Sequence, residues 1–466
     1  MQNNTLFFPG FNHAFGRAPK SALKKLEQAR KSIMDLLPGQ LPAFFAEALP
    51  VESIPATEGG RDRSFPVPVV VWNMIGRGFD SGTLRGGLAE INATRVSLGL
   101  EKIASNTSGI CQARQRLPES TVKAVHERVL QSVERLTPAR ERRTLCVDGT
   151  GFQLCDSADN QSGYPQPTNQ KPGCGFPVMQ QVALVDAHSG AVLETVDSPW
   201  KEHESAMFQA ALIERLQPGD TLVADTAYCS YLNFALLQER GVDAVMDLHQ
   251  ARKRAFSRRA KEHYTTWAKP LPGQRPEHIA EDQWDALPST IEVRYIRATL
   301  VRKGFRTVHR IIVTTDLDRP AEEIVREYFR RWDIELCFRD IKITMNLDFI
   351  RAKSASMARK VFGFGLIAHN LIRWQMLKAS YGRSPRRISF TGALECIRHC
   401  VSIIGTRTRR VRVLLEDTVE KMIRAQVLPE RSGRHEPRAV KRRPKKHQLL
   451  TQPRNVMITS ESRKQK

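Results

Sequence analysis

The sequence lacks any uninterrupted apolar stretch of the length a bilayer demands. Residues 65–75 are too short and broken by prolines. Residues 361–377 are long enough but carry His369, Asn370 and Arg373, so they read as a core helix. The opening MQNNTLFFPGFNHAFGRAPK has no basic segment followed by a continuous apolar run, so no export signal and no membrane are expected. Eight cysteines are scattered without a framework, which suits a reducing cytosol. Cys396, His399 and Cys400 have the spacing to share one helix face as metal ligands, but a fourth ligand at zinc-finger spacing is missing. No GxxxxGK[ST] occurs, so nothing points to ATP, and no internal repeat is found. Acids are also scarce: 49 stand against 72 lysines and arginines, a formal charge of +23. That surplus suits a polyanionic partner and acts mainly on non-specific affinity and on-rate.

What is present, 466 residues with 41% apolar content, is enough for two or three domains with a sizeable core. Residues 1–140 read as helical. Leu23, Leu26, Ile33 and Leu37 keep helical spacing ahead of Pro38-Gly39. Further on, Thr107 or Ser108 is placed to cap a helix carrying Gln112, Arg114, Gln115 and Arg116, which Pro118 ends. These four suit base edges and phosphates, as in a helix-turn-helix. The plain alternative is an amphipathic helix in a small bundle.

Residues 141–250 change texture. TLCVDGTGF is an apolar run leading to Asp148, and PVMQQVALVDAHSGAVLETVDSPW reads as a hairpin turning at His188-Ser189-Gly190. Then follow a helix in ESAMFQAALIERL, a strand ending in Asp225, a helix closed by Gly241, and the strand DAVMDL. This succession predicts an α/β layer with a central sheet. Asp148 and Asp225 are placed at strand ends, where carboxylates mark a site at a sheet edge, although an aspartate after a strand is also an ordinary turn former.

Residues 251–319 break that rhythm. Six lysines and arginines fall within 252–261, with Phe256, Tyr264 and Trp267 nearby, and two alternating strands surround Lys303-Gly304. A mostly β insertion is expected, its basic and aromatic start able to grip a nucleic-acid strand or to be a solvated loop. Residues 320–420 read as helical, including a second apolar helix expected to back the sheet. Within 430–466, twelve lysines and arginines face three acids, so 421–466 is expected to be a basic tail, largely disordered, held to DNA by charge.

The rest is organised around residues 321–347, AEEIVREYFRRWDIELCFRDIKITMNL, which no proline or glycine interrupts. A single helix is predicted, entered through Pro320 and with Glu322 and Glu323 in its first turn. At about 100° per residue, Tyr328, Arg331, Glu335 and Lys342 lie within roughly 60° of one another, and Arg339 joins them. A solvated charged face is the ordinary account of such a stripe. Here, however, one glutamate sits among cations, and Ile324, Trp332, Ile334 and Phe338 occupy much of the remaining surface, so the stripe needs a polyanion or a metal to face.

Asp148, Asp225 and Glu335 form a carboxylate set suited to two divalent cations that drive an in-line phosphodiester displacement. Tyr328-x2-Arg331-x3-Glu335-x6-Lys342 resembles the Tyr-Arg-Glu-Lys signature of the insertion-sequence DDE transposases, the family named after insertion sequence four. Asp148 in VDGT and Asp225 in ADTAYCS resemble that family's first two catalytic aspartates. The similarity covers about residues 140–380 and is most specific around 328–342.

The resemblance implies an α/β fold: a ribonuclease-H-like catalytic domain interrupted by a β-rich insertion, with a helical N-terminal domain and a basic C-terminal tail. It further implies catalysis and metal binding by Asp148, Asp225 and Glu335, with Mg²⁺ as cofactor and Mn²⁺ as a substitute. Cut-and-paste DNA transposition through a hairpin DNA end would follow. The implied DNA contacts are Tyr328, Arg331 and Lys342, to which Arg339, Arg114 and Arg116 are added from the reading of the helices. Implied partners are double-stranded DNA, as terminal inverted repeats and target, and a second copy of the chain on that DNA. The implied location is a prokaryotic cytoplasm, at the nucleoid. One departure stands out. A branch of the family stacks a flipped base on a tryptophan in the last insertion strand, whereas here FRTVHRIIVTT offers His309 or Arg310, and Trp267 lies elsewhere. The competing expectations are a metal-dependent nuclease that does not join strands and a DNA-binding regulator without activity.

Overall fold

Short apolar runs rich in β-branched residues set the centre of the fold. In the computed structural model, residues 41–55, 65–80, 82–97, 101–200, 202–253, 260–300, 308–404, 409–429, 450–453 and 456–457 are described. The helix expected around 23–37, the Lys303-Gly304 turn and most of the basic tail lie outside them. The described residues fall into two units. One draws on Met1–Ala139, Arg339–Ala352 and Ser356–Leu428, the other on Arg140–Phe338, Lys353–Ala355 and Pro429–Lys466.

The second unit is built on a mixed sheet. Its strands are β1 (Thr144–Leu154), β2 (Val178–Asp186), β3 (Val192–Pro199), β4 (Thr221–Ala224), β5 (Asp243–Asp247), β6 (Glu262–Ala268), β7 (Thr290–Leu300) and β8 (Val308–Thr314). Their order is β3-β2-β1-β4-β5-β8-β7-β6. The hairpin β2–β3 and its pairing with β1 are antiparallel, whereas β1, β4 and β5 run parallel. Strands β4 and β5 are buried almost throughout, which is why they read as plain apolar runs rather than alternating ones. The hairpin turn is held by Asp186, whose Oδ1 accepts from the Ser189 amide at 2.6 Å and hydroxyl at 2.8 Å. Gly190, at φ 75°, supplies the left-handed residue that this turn requires. The helix Tyr231–Glu239 ends at Gly241, φ 67°, with the Val242 amide returning to the Leu237 carbonyl at 2.9 Å.

One expectation is corrected here. Asp148 is not at a strand end, because β1 continues to Leu154, paired with β2 from Leu145↔Asp186 to Gln153↔Val178. The segment expected to be a β-rich insertion carries β6, β7 and β8, which extend the same sheet, since β8 pairs with β5 through Met246↔Val313. Trp267 on β6 is 2% exposed and gives its indole N–H to the Tyr295 hydroxyl at 2.6 Å, with the Arg252 guanidinium 4.0 Å above its ring. It is core, and its face is closed to a base.

The single helix predicted over 321–347 is also broken. Helices Ala321–Phe329 and Trp332–Arg339 are separated by a turn at Arg330 and Arg331, and a wide π-turn, Asp340–Thr344, follows. In a continuous α-helix the Arg330 carbonyl would accept from Ile334. Instead it takes the Asp333 amide at 2.8 Å and the Cys146 thiol at 3.6 Å, while the Ile334 amide turns to the Arg331 carbonyl. Phe329 and Trp332 stack across the tightened turn, ring centres 5.3 Å apart.

The first unit is helical: Val67–Asp80, Leu84–Ser97, Ser108–Arg116, Glu119–Leu136, Phe390–Ile404, Arg409–Ala425 and nearly all of Ala355–Ser380. That last, long apolar helix groups with these helices. Its Arg373 pairs with Asp340 at 2.7 Å, both side chains 4% exposed. The Lys360 ammonium donates to the carbonyls of Arg114, Gln115 and Leu117 at 3.3, 2.9 and 2.9 Å, so it caps the Ser108–Arg116 helix.

Candidate active site

The parallel pairing of β1 with β4 brings two of the predicted residues near each other. Cys146 pairs with Val223; two residues on, Asp148 continues β1 while Asp225 stands just past the end of β4. The two carboxylates are near enough for the Asp225 charge to act on Asp148. Asp225 Oδ1 accepts from the Ala227 amide at 2.8 Å, which fixes it as the cap of a short 3₁₀ turn. Asp148 Oδ1 accepts from the Gly149 amide at 2.9 Å. Burial, reinforced by the charges of Asp225 and Glu204, pushes the Asp148 carboxyl up to about 7, against the pull of the Gly149 amide and Arg331.

Arg331 joins this pair to the third predicted carboxylate. Its Nη2 lies 2.8 Å from Glu335 Oε1 and its Nη1 3.9 Å from Asp148 Oδ2. The broken helix therefore keeps the i,i+4 pair of Arg331 and Glu335, with the arginine mostly buried and the glutamate half exposed. Tyr328 is 5% exposed, and burial, then the charge of Asp247, raises its pKa. The structure thus brings Asp148, Asp225, Arg331, Glu335 and Tyr328 onto one unit.

The donors are carboxylate oxygens, the hard ligands that Mg²⁺ takes. Two of them stand near each other, one driven toward its protonated form, and a divalent cation relieves such repulsion, so the residues fit one. Among the described residues no three of His, Cys, Asp and Glu lie within ligating reach of one point as the side chains stand, and Glu335 is engaged by Arg331. The same observation leaves Cys396, His399 and Cys400 without the cluster their spacing suggested.

Sequence reasoning missed the residues that crowd Asp148 from another direction. The Glu204 carboxylate lies 2.1–2.6 Å from where a Cβ on Gly149 would stand, and the Gln180 amide donates to its Oε1 at 3.1 Å. Burial, then the charge of Asp225, raises the Glu204 pKa; its Gln180 hydrogen bond pulls the other way. The signal was present but ambiguous: Asp-Gly reads as a turn, and a glutamate opening a helix reads as a complement to the helix dipole.

The remaining predicted DNA contacts divide. Arg339 is 56% exposed on its side chain, and Lys342 is half buried, its pKa lowered by that burial. Arg116, Gln112 and Gln115 are exposed on the Ser108–Arg116 helix. Arg114 is 8% exposed, its Nη2 3.6 Å from Met357 Sδ, and burial pushes its guanidinium down to about 10. It points into the protein, which corrects its expected place among the surface readers. His309 and Arg310 lie exposed on β8. No helix among the described residues is long and apolar enough to cross a membrane.

Residues 139–371 match the family described as Transposase DDE domain. The chain is 26% identical over 401 residues to "Transposase InsG for insertion sequence element IS4" of Escherichia coli (strain K12), covering 83% of this chain and 88% of that protein. A solved structure, "Cryo-EM structure of piggyBac transposase synaptic complex with hairpin DNA", aligns over 89% of this chain and 84% of that one. Its TM-score is 0.40 at 8% identity.

Proposed function

The chain belongs to the family of transposases with a DDE domain, and on that premise we propose that it moves an insertion sequence by cut-and-paste, through cation-dependent cleavage and transfer of DNA strands. What carries the proposal is the parallel pairing of β1 and β4, which brings Asp148 near Asp225 just past the end of β4, with Arg331 linking Asp148 to Glu335. The order of the first five strands, β3-β2-β1-β4-β5, supports a ribonuclease-H-like core.

Asp148, Asp225 and Glu335 would hold Mg²⁺, or Mn²⁺ in its place. The chemistry such an ion supplies is activation of a water or 3′-hydroxyl and stabilisation of the leaving oxygen. Arg331 keeps the Glu335 carboxylate beside the strand pair by its charge. A DNA phosphate competes for that guanidinium as a bidentate acceptor, which frees Glu335 to complete the carboxylate set. Arg339 and Lys342, with Arg116 on the capped helix, supply cationic contacts to double-stranded DNA, at the terminal repeats or the target. The basic tail adds charge without sequence preference. Tyr328, being buried, orients Arg331 from below more than it meets solvent. A dimer on DNA and a hairpin end remain part of the same proposal, although the buried Trp267 cannot serve as a base-stacking platform there.

The test is strand nicking on a duplex carrying a terminal repeat. Asp225→Asn and Glu335→Gln should bind that duplex normally and lose Mg²⁺-dependent nicking by several orders of magnitude. Near wild-type nicking by either variant would remove that residue from the site, and by both would overturn the proposal.

A further inference from the structure

We propose that Glu204 is a fourth carboxylate of this cation site, admitted to it by Gly149. The inference rests on the functional reading above and adds a ligand outside the Asp-Asp-Glu set. Glu204 opens the helical segment that follows β3, and its carboxylate occupies the space a side chain at position 149 would need, 2.1 Å from that Cβ for both Cδ and Oε1. Gly149 stands in a strand rather than a turn, with ordinary backbone, paired across to Val182. Its bareness is therefore explained by the approach of Glu204, not by a left-handed conformation.

A second observation is independent of the carboxylates. Tyr228, the last residue of the turn that Asp225 caps, is 0% exposed, and its hydroxyl has no hydrogen bond of full geometry. That hydroxyl feels the charges of Glu204, Asp148 and Asp225, with Glu204 near enough to interact. The Oε1 of Gln180, whose amide holds Glu204, is likewise buried without a partner. Buried donors and acceptors are nearly always paired, so the unpaired Gln180 oxygen beside this carboxylate, with the Tyr228 hydroxyl held only loosely by it, marks a place built for something further. A divalent cation with its retained waters supplies what is missing: positive charge for the carboxylates, and a water oxygen and hydrogens for the Tyr228 hydroxyl and the Gln180 carbonyl.

The experiment is calorimetric titration of the full chain with Mn²⁺ alone, without DNA, on wild type, Asp148→Asn, Glu204→Gln and Gly149→Ala. Glu204→Gln should weaken Mn²⁺ binding at least tenfold, with thermal unfolding in cation-free buffer no lower than wild type. Gly149→Ala should weaken it similarly by displacing the flexible end of Glu204. It also covers the case in which Glu204→Gln fails to fold. Loss of binding in Asp148→Asn with wild-type binding in both other variants would overturn the role of Glu204 alone. Wild-type Mn²⁺ binding in Asp148→Asn would instead overturn the cation-site reading on which this inference rests.

Discussion

Asp148 should destabilise the cation-free protein above neutral pH, and removing its charge should make that protein more stable. Its carboxyl is raised from 3.8 to about 7 in the folded state. Because the folded pKa lies above the unfolded one, the stability it contributes is full below about pH 4. It is lost as pH rises toward the folded pKa, and above that nothing further is lost. A shift of roughly 3 units at 1.36 kcal/mol each sets a ceiling of about 4 kcal/mol. Asparagine keeps the oxygen that accepts from the Gly149 amide, and Arg331 keeps Glu335 at 2.8 Å, so little else changes. Asp148→Asn should therefore unfold several degrees higher than wild type at pH 8.5 in EDTA, at about 2–4 °C per kcal/mol for a unit of this size. At pH 5 most of that gain should vanish, because the wild-type carboxyl is then protonated. Added Mg²⁺ should stabilise only wild type. An asparagine variant that melts no higher than wild type at pH 8.5 would refute the claim that Asp148 is held against its charge.

Three further outcomes follow from the same geometry. Asp340→Asn, which strips the buried Arg373 of its partner at 2.7 Å, should cost ~3–5 kcal/mol in urea unfolding, whereas replacing both residues with apolar ones of similar size should cost less. Arg116→Ala should weaken binding to end DNA by ~1–3 kcal/mol without changing the melting temperature, while Arg114→Ala should lower the melting temperature; the opposite pairing in calorimetry and binding assays would reverse their roles. Deleting residues 430–466 removes a formal charge of +9, twelve cations less three acids, and should flatten the salt dependence of DNA binding; an unchanged slope would mean the tail does not touch DNA.

Local chemistry made much of this protein legible in its sequence. Strands β4 and β5 were visible as apolar runs because central parallel strands are buried on both faces, and the Tyr231–Glu239 helix because glycine alone closes it cheaply at Gly241. The pairing of Arg331 with Glu335 was visible because residues four apart meet on any helical turn, and it survives the break just before it. What the sequence could not reveal is whatever long-range packing decides. The 321–347 segment has no breaker of its own, yet in the folded chain the Arg330 carbonyl accepts from the Asp333 amide and faces the Cys146 thiol on β1. Arg114 and Arg116 are two residues apart on one helix, and only the burial of that helix against its neighbours hides one and exposes the other. Trp267 was a stacking candidate until the Tyr231–Glu239 helix brought Phe234 to its ring, centres 5.0 Å apart, and Arg252 came over its face. The nearness of Asp148 to Asp225, and the arrival of Glu204 at Gly149, depend on strand pairing and on a helix packed against the sheet. Periodicity along the chain records which faces are buried; it does not record which distant residues are brought to share one point.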